Sequence, residues 1–249
     1  VELLSLTVNR AINRIPTAQI IVQDGDIATE KFEVSDADFF KPGAMVKINA
    51  GYGEEEETIF EGIVVKHSIS IADENKSQLL VECQDKAVRM TLGRHNANFV
   101  EQSDSAIISK LISANGLQAE VPSTSITHKT LVQHYCSDWD FMLTRADSNA
   151  LLVVVTDGKI SVKPPQTDSA PTLKCAYGVD LIEFRADLDA RTQWASAQAR
   201  AWDMQTQAVV EGATVVPPSL NVQGNLKSVE LAKVLDMSSN RLQSASSMS

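Results

Sequence analysis

The chain has 249 residues, of which 43% are hydrophobic and 22% charged, a composition that excludes general disorder and allows one large domain or two ordinary ones. Its 22 basic and 32 acidic residues give a net charge of -10, and the basic residues form no cluster. Because nucleic-acid binding requires several clustered lysines and arginines, we expect no nucleic-acid partner. No apolar run approaches the roughly 20 residues of a membrane-spanning helix, so we expect no stable membrane insertion.

From Val1 to about Gly93 the sequence indicates β-structure, because apolar and polar residues alternate in short runs. The runs are Leu4-Leu6-Val8, Ile20-Val22, Val46-Ile48, Ile59 with Ile63 and Val65, Ile69-Ile71, and Leu79-Val81-Cys83. The turns between them are Asp24-Gly25-Asp26, Lys41-Pro42-Gly43, Gly51-Tyr52-Gly53 and Asp73-Glu74-Asn75. Six short strands with frequent turns predict an antiparallel sandwich or barrel.

Four consecutive carboxylates, Glu54 to Glu57, fall at the tip of a predicted hairpin. Carboxylate oxygens are ligands that Ca²⁺ prefers, so a calcium site is one interpretation of this run. A solvated turn whose charges protect a sheet edge from pairing is the other interpretation, and we favour it.

The region from about 97 to 165 predicts a unit of two helices and a hairpin. Ser103 is suited to cap a first helix, in which Ile107, Ile108, Leu111 and Ile112 have helical spacing and which Asn115-Gly116 ends. A second helix is predicted to begin at Ser137, with Asp140 in an acidic variant of the capping box, and to reach Ser148-Asn149. Asp157-Gly158 lies between two β-rich runs, a strong signal for a tight hairpin.

Beyond Pro164-Pro165 the pattern is weaker. Residues Leu181 to Leu188 alternate as in a strand, whereas Trp194 to Trp202 combine helix-favouring alanines with a strand-like alternation. A short helix is predicted at Ser228 to Leu235, and the serine-rich end from Ser238 to Ser249 is predicted to be a linker or a fraying terminus.

A search for catalytic or metal-binding patterns finds one candidate cluster, His134, Cys136, Asp138 and Asp140. In an extended strand these residues would share a face and could hold a transition metal. If Ser137 instead caps a helix, the two aspartates turn away from that face and stabilise the helix N-terminus, which is the interpretation we favour. Cys83, Cys136 and Cys175 are too widely spaced for a disulfide framework or a Cys-x-x-Cys metal site. We therefore predict no catalytic, cofactor-binding or metal-ligating residues, and no enzyme.

Several stretches, in this order, resemble one family. They are Asn13-Arg14-Ile15-Pro16-Thr17-Ala18-Gln19, Phe40-Lys41-Pro42-Gly43-Ala44, Ile59-Phe60-Glu61-Gly62-Ile63-Val64, Asp85-Lys86-Ala87-Val88 with Leu92-Gly93-Arg94, and Ser137-Asp138-Trp139-Asp140-Phe141 with Arg145-Ala146. This resembles the N-terminal hub region of valine-glycine repeat (VgrG-type) spike proteins of type VI secretion and contractile injection systems. Those proteins are similar to phage late control protein D and to baseplate hubs of contractile phages. The resemblance covers roughly residues 1 to 205.

The resemblance implies a structural role in a contractile injection machine. It implies a homotrimer of β-barrel tube domains that joins a hexameric inner tube protein to a membrane-piercing spike. Baseplate wedge proteins and spike-tip or effector proteins are the further partners it implies. Such a protein would be assembled in the bacterial cytoplasm and then become part of an injected particle or a virion tail.

The resemblance also implies the domain layout. The first tube barrel would comprise residues 1–96 and be completed by strands in 174–205, which favours a strand for Trp194 to Trp202. Residues 97–173 would be an inserted helix-plus-hairpin subdomain with a linker. Residues 206–249 would begin a second tube domain that is too short to be complete, so we expect it to be truncated.

Two other functions are compatible with the sequence. A stand-alone β-sandwich that binds carbohydrate or protein would need a platform of exposed aromatic side chains, for which the candidates are Tyr52, Tyr135, Trp139, Trp194 and Trp202. A hydrolase with paired carboxylates would need two acidic side chains brought together by the fold, and sequence spacing does not reveal such pairs.

Overall fold

A computed structural model describes residues 1–26, 29–53, 55–71, 77–166, 169–217 and 227–244. The chain is mainly β with short helices, as the sequence predicts. It divides into two compact units, Val1–Pro165 and Gln166–Ser249. Glu54, the predicted turn at Asp73 to Asn75, and the last five residues of the serine-rich end lie outside the described residues.

The largest sheet of the first unit is a curled half-barrel of five antiparallel strands. In spatial order the strands are β1 (Glu2–Asn9), β2 (Thr17–Gln23), β5 (Gln78–Gln84), β4 (Glu55–Ser70) and β3 (Met45–Tyr52). The alternation of the predicted strands places one set of side chains on a common face. The buried members of that set are Ala18, Ile20, Val22, Ile48, Phe60, Val64, Leu79, Val81 and Cys83.

The strand β4 is longer than the sequence pattern predicts. The runs around Ile63 and Ile69 belong to one strand of 16 residues, which the pattern divides in two. Its second half, from Ile63 onward, pairs with β5, whereas its first half pairs with β3 alone in the described part of the chain. A two-stranded extension of the sheet therefore continues beyond the end of β5.

The helix-plus-hairpin unit follows a short 3-10 turn, Lys86–Thr91. Its elements are β6 (His95–Ser103), α1 (Asp104–Ala114), β7 (Gln118–Glu120), β8 (Thr127–Cys136), α2 (Asp138–Ser148), β9 (Leu152–Thr156) and β10 (Lys159–Lys163). The strands β6 and β8 form a two-stranded ribbon, and β7, β10 and β9 form a small mixed sheet. The ribbon was not predicted from the sequence.

Both predicted helix caps are present. The hydroxyl of Ser103 accepts a hydrogen bond from the N–H of Ala106, and that of Ser137 accepts one from the N–H of Asp140. Asp157 and Gly158 both have positive φ, as a tight two-residue hairpin between β9 and β10 requires. The apolar faces of the two helices and of the β9–β10 hairpin form a second core. It includes Ile107, Ile108, Ile112, Met142, Val153 and Ile160.

The second unit, described by itself, contains β11 (Ala197–Asp203), β12 (Ala208–Glu211), α3 (Ser228–Val234) and β13 (Asn240–Ser244). The prediction of a strand within Trp194 to Trp202 and that of a helix at Ser228 are confirmed. The alternating segment Leu181 to Leu188 is not a strand, although Leu181 forms a single bridge with Tyr177. Leu181 is half-buried, whereas the other apolar side chains of this segment are exposed, and Ile182 is fully so.

Candidate assembly surfaces

The half-barrel and the helix-plus-hairpin unit are joined through the buried carboxylate of Asp85, which is 1% exposed. One oxygen accepts a hydrogen bond from the N–H of Ala87 at 2.8 Å, and the other accepts one from the N–H of Gly158 at 2.9 Å. Burial raises the pKa of Asp85, and the two backbone donors partly offset that rise. Asp85 directly follows β5, so its side chain fixes the β9–β10 hairpin against the end of the large sheet.

A second connection is made by Asn13, whose φ of +58° is in the left-handed region. Its N–H donates to the carbonyl of Val153 at 2.8 Å, and its side-chain oxygen accepts from the N–H of Val153 at 2.8 Å. The loop between β1 and β2 thereby satisfies both backbone groups of a residue in β9. Asparagine is one of the few residues that tolerate this backbone conformation and supply the acceptor.

The hairpin turn itself contacts the large sheet. Asp157 accepts a hydrogen bond from the N–H of Glu61 at 3.0 Å, and its carboxylate lies 3.5 Å from the guanidinium of Arg10. Lys86 lies 3.5 Å from the carboxylate of Glu61. Asn13, Glu61 and Asp85 come from three different stretches that carry the family resemblance, and all three contact the β9–β10 hairpin. Their role at this joint is structural.

A buried polar cluster stabilises the helical part of the unit. Asp104 is 3% exposed, and its carboxylate lies 3.1 Å from His128 Nε2 and 3.6 Å from the guanidinium of Arg145. The contact with Arg145 is an ion pair, and neither Asp104 Oδ1 nor His128 Nε2 forms a hydrogen bond with the described residues. The side chain of Asn149 donates a hydrogen bond of 2.9 Å to the other carboxylate oxygen. The cluster connects the start of α1 with the end of α2.

The structure places the residues that were considered for a metal site, and for which a helix cap was favoured, in other roles. His134 is exposed, and Asp138 accepts hydrogen bonds from the side chains of Gln133 and Asn115. The hydroxyl of Ser137 donates to Asp140 at 2.6 Å. No group of three or more His, Cys, Asp or Glu side chains suited to a metal occurs among the described residues. The sequence did not reveal Gln133, which is 1% exposed and also donates to the carbonyl of Cys136.

The outer edge of the half-barrel carries an uncovered apolar row on β1. Leu3, Leu6 and Val8 pair with Val22, Ile20 and Ala18, which are buried on the core face, so the row continues that face to the edge. Leu3 is nevertheless 55% exposed and Leu6 36% exposed. An edge strand with exposed apolar side chains is a typical contact surface for another strand.

A groove lies beside this edge, between the loop from Asn9 to Thr17 and the indole of Trp139. Its volume is about 720 Å³. Trp139 is mostly buried in the core of the helix-plus-hairpin unit, whereas Ile12 in the loop is 56% exposed. Arg14 also lines this groove, which we call the Trp139 groove.

The extension of β3 and β4 ends in an exposed tip that we call the acidic arm, residues 50–53 and 55–57. Tyr52 is 98% exposed, and Glu55, Glu56 and Glu57 are exposed as well. Within the first unit, the aromatic candidates have separate surroundings: Tyr52 lies on this arm, Trp139 is buried, and the ring of Tyr135 faces the guanidinium of Arg94. Trp202 belongs to β11 of the second unit.

A family model described as the Alg8 N-terminal domain matches residues 1–249. No curated protein matches the chain. Among the described residues, no helix combines the length and apolar character needed to cross a membrane.

Solved structures share the fold at low sequence identity. The 43 kDa tail protein of prophage MuSo2 from Shewanella oneidensis has a TM-score of 0.62 at 10% identity, over 95% of this chain and 66% of its own. A tail protein from Neisseria meningitidis MC58 has a TM-score of 0.59 at 9% identity, and the match covers 97% of this chain and 66% of that protein. The Escherichia coli c3393 protein, a component of the type VI secretion system, has a TM-score of 0.50 at 12% identity. That match covers 65% of this chain and 45% of the c3393 protein. The chain thus spans no more than about two thirds of these proteins.

Proposed function

The chain belongs to the Alg8 N-terminal domain family. From its fold we propose that it is a structural component of a tail-like contractile injection machine. The observation that carries the proposal is the shared fold with tail proteins over nearly the whole chain. The likeness to a component of a type VI secretion system supports the same class of machine.

Within that class, we propose the role of a hub or spike component. A homotrimer would join a hexameric inner tube protein to the spike and would contact baseplate wedge and effector proteins. The uncovered apolar row of Leu3, Leu6 and Val8 supports this role, because an edge strand that continues a core face is suited to ring assembly. The particle would be assembled in the bacterial cytoplasm before it is injected.

We also propose that this role is not enzymatic. The buried carboxylates of Asp24 and Asp85 each accept hydrogen bonds from backbone donors on both oxygens. These contacts account for their burial as structural groups. The division of the first tube barrel between residues 1–96 and 174–205 stays a prediction.

The test is assembly with the inner tube protein of the same system. The purified chain is expected to form a trimeric ring in mass photometry and to bind the end of preformed tubes in electron micrographs. Leu6→Asp, which places a charge in the apolar row, should abolish tube binding while the fold remains. Thr7→Asp is the matched control, because Thr7 is exposed on the opposite face of β1. A chain that stays monomeric at all concentrations and does not bind tubes would contradict the proposal.

A further inference from the structure

The strand register places the acidic arm and the Trp139 groove at the same end of the half-barrel. Gln84, at the end of β5, pairs with both Thr17 and Ile63. The loop before Thr17 forms the groove, and the part of β4 before Ile63 leads into the arm. Both features therefore extend from one end of the sheet.

The two features also lie at opposite edges. The groove adjoins β1 and the arm is built by β3, and the strands β2, β5 and β4 separate these edges. In copies placed side by side around an axis along the strands, the arm of one copy would face the groove of the next. Such a head-to-tail contact generates a ring when the rotation closes.

The acidic arm presents one chemically defined face. In an antiparallel pair, residues directly opposite each other share a face. Tyr52 is opposite Glu55, and Ala50 is opposite Glu57, so the ring of Tyr52 and the carboxylates of Glu55 and Glu57 lie together. Glu56 is opposite Gly51 on the other face. The described part of the chain contains no ion pair to these three carboxylates.

The two strands of the arm pack closely against each other, and Gly51 leaves no space for a larger residue between them. A Cβ at this position would lie far inside van der Waals contact with the backbone of Glu55 and Glu56, at 2.7 Å from the carbonyl carbon of Glu55. Glycine thus allows the close approach of the two strands just before the turn at Gly53, whose φ is +68°.

The Trp139 groove has the complementary chemistry. Arg14 is exposed and forms no ion pair within the described residues, in a chain whose net charge is -10. Arg10, on the same loop, already has a partner in Asp157 at 3.5 Å. The exposed side chain of Ile12 and the indole of Trp139 provide an apolar wall beside the free guanidinium.

We propose that the acidic arm of one copy of this chain docks in the Trp139 groove of a second copy. Glu55 and Glu57 pair with Arg14, and the ring of Tyr52 covers Ile12 and the edge of the indole. The volume of about 720 Å³ accommodates several side chains of a hairpin tip. The inference depends on charge complementarity and strand register, and it does not rest on the proposed function.

Charge reversal tests the contact. We expect Arg14→Glu, or Glu55→Lys with Glu57→Lys, to weaken self-association about tenfold or more in analytical ultracentrifugation. Combining the reversals on both sides should restore most of the association, because the pair then has inverted signs. The matched controls are Glu56→Lys, on the opposite face of the arm, and Lys129→Glu, an exposed lysine on β8. Both controls should associate like the parent chain.

Disulfide trapping identifies the partner directly. Ile12→Cys and Tyr52→Cys are introduced in separate chains that also carry Cys136→Ser and Cys175→Ser, which leaves only the buried Cys83. Mixing the two chains under mild oxidation is expected to give a covalent dimer. Leu92→Cys, exposed outside the groove, replaces Ile12→Cys in the control mixture and should give none.

The proposal is overturned if the parent chain does not self-associate, if the reversed pairs do not restore association, or if the control mixture cross-links equally well. A chain that forms rings and binds tubes while the reversals have no effect would retain the proposed function and exclude this contact.

Discussion

Asp85 and Gly158 are 73 positions apart in the sequence, and the N–H of Gly158 donates a hydrogen bond of 2.9 Å to the carboxylate of Asp85. The second oxygen of that carboxylate is occupied by the N–H of Ala87. One side chain therefore satisfies two backbone donors on different elements, the buried N–H of Ala87 and the partly buried N–H of Gly158. Since an unsatisfied buried donor costs more than a hydrogen bond contributes, any substitution of Asp85 should loosen the joint between the half-barrel and the β9–β10 hairpin.

We predict that Asp85→Asn lowers the free energy of unfolding by about 1–3 kcal/mol. The amide has the size of the carboxylate, but its NH₂ group faces one of the two N–H donors and leaves it without an acceptor. Chemical denaturation followed by circular dichroism measures the loss. Asp147→Asn, an exposed carboxylate near the end of α2, is the control and should be nearly neutral. Equal stabilities of the two variants would contradict a structural role for Asp85.

The pH dependence of this difference has a defined sign. Burial raises the pKa of Asp85 above its ordinary value of 3.8. The folded protein therefore takes up this proton before the unfolded chain does when the pH falls. The parent chain should gain stability relative to Asp85→Asn between neutral pH and about pH 4. If the difference in unfolding free energy between the parent chain and Asp85→Asn narrows as the pH falls over this interval, the raised pKa is contradicted.

The stability that Asp24 contributes should depend on pH in the opposite direction. Burial acts to raise its pKa, but hydrogen bonds from Val34, Ser35 and Gly25 outweigh this and hold the pKa below 3.8. Its contribution to stability is complete at neutral pH and is lost as the pH falls through the folded-state pKa. Asp24→Asn should therefore be less stable than the parent at pH 7 by about 1–3 kcal/mol, and the gap should narrow below about pH 4. Denaturation at pH 7 and pH 3.5 measures both values.

Local signals in the sequence were sufficient for the elements that depend on local chemistry. Ser103 and Ser137 cap their helices through bonds three residues away, and Asp157-Gly158 forms its turn with its own backbone angles. The same cap explains why His134 and Asp138 do not form a metal site, since Asp138 accepts hydrogen bonds from amides instead.

Elements that depend on distant partners were missed. The β6–β8 ribbon has no clear alternation because it carries apolar residues on both faces, including the exposed Val100 and Val132. Residues Leu181 to Leu188 alternate well, yet a strand also requires a pairing strand, which the pattern does not supply. The joint at Asn13 links positions 140 residues apart, so no local pattern could identify its partner.

Gly62 is predicted to be required by packing and not by its backbone angles. A Cβ at this position would lie 2.4 Å from the carbonyl oxygen of Gln84 and 2.6 Å from the ring of Phe60. Gly62→Ala should therefore destabilise the half-barrel by about 1–3 kcal/mol, because β4 and β5 must separate. Gly212→Ala is the control, since its nearest contact would be an ordinary 3.6 Å to the carbonyl of Ala199. The measurement is chemical denaturation, and a stability of Gly62→Ala equal to that of the parent would show that this crowding is relieved at no cost.

Cys83 is predicted to report the opening of the half-barrel through its thiol. Burial in the core raises the pKa of Cys83 to about 11, so roughly one molecule in a thousand carries the reactive thiolate at pH 8. Cys175 is exposed and should react with an alkylating reagent at once, whereas Cys83 should react only when β5 separates from β4. Mass spectrometry after timed alkylation distinguishes the sites. Cys175→Ser simplifies the assay, and the logarithm of the rate at Cys83 should rise in Gly62→Ala and Asp85→Asn in proportion to their loss of unfolding free energy. Labelling of Cys83 as fast as that of Cys175 in the folded parent chain would contradict its place in the closed core.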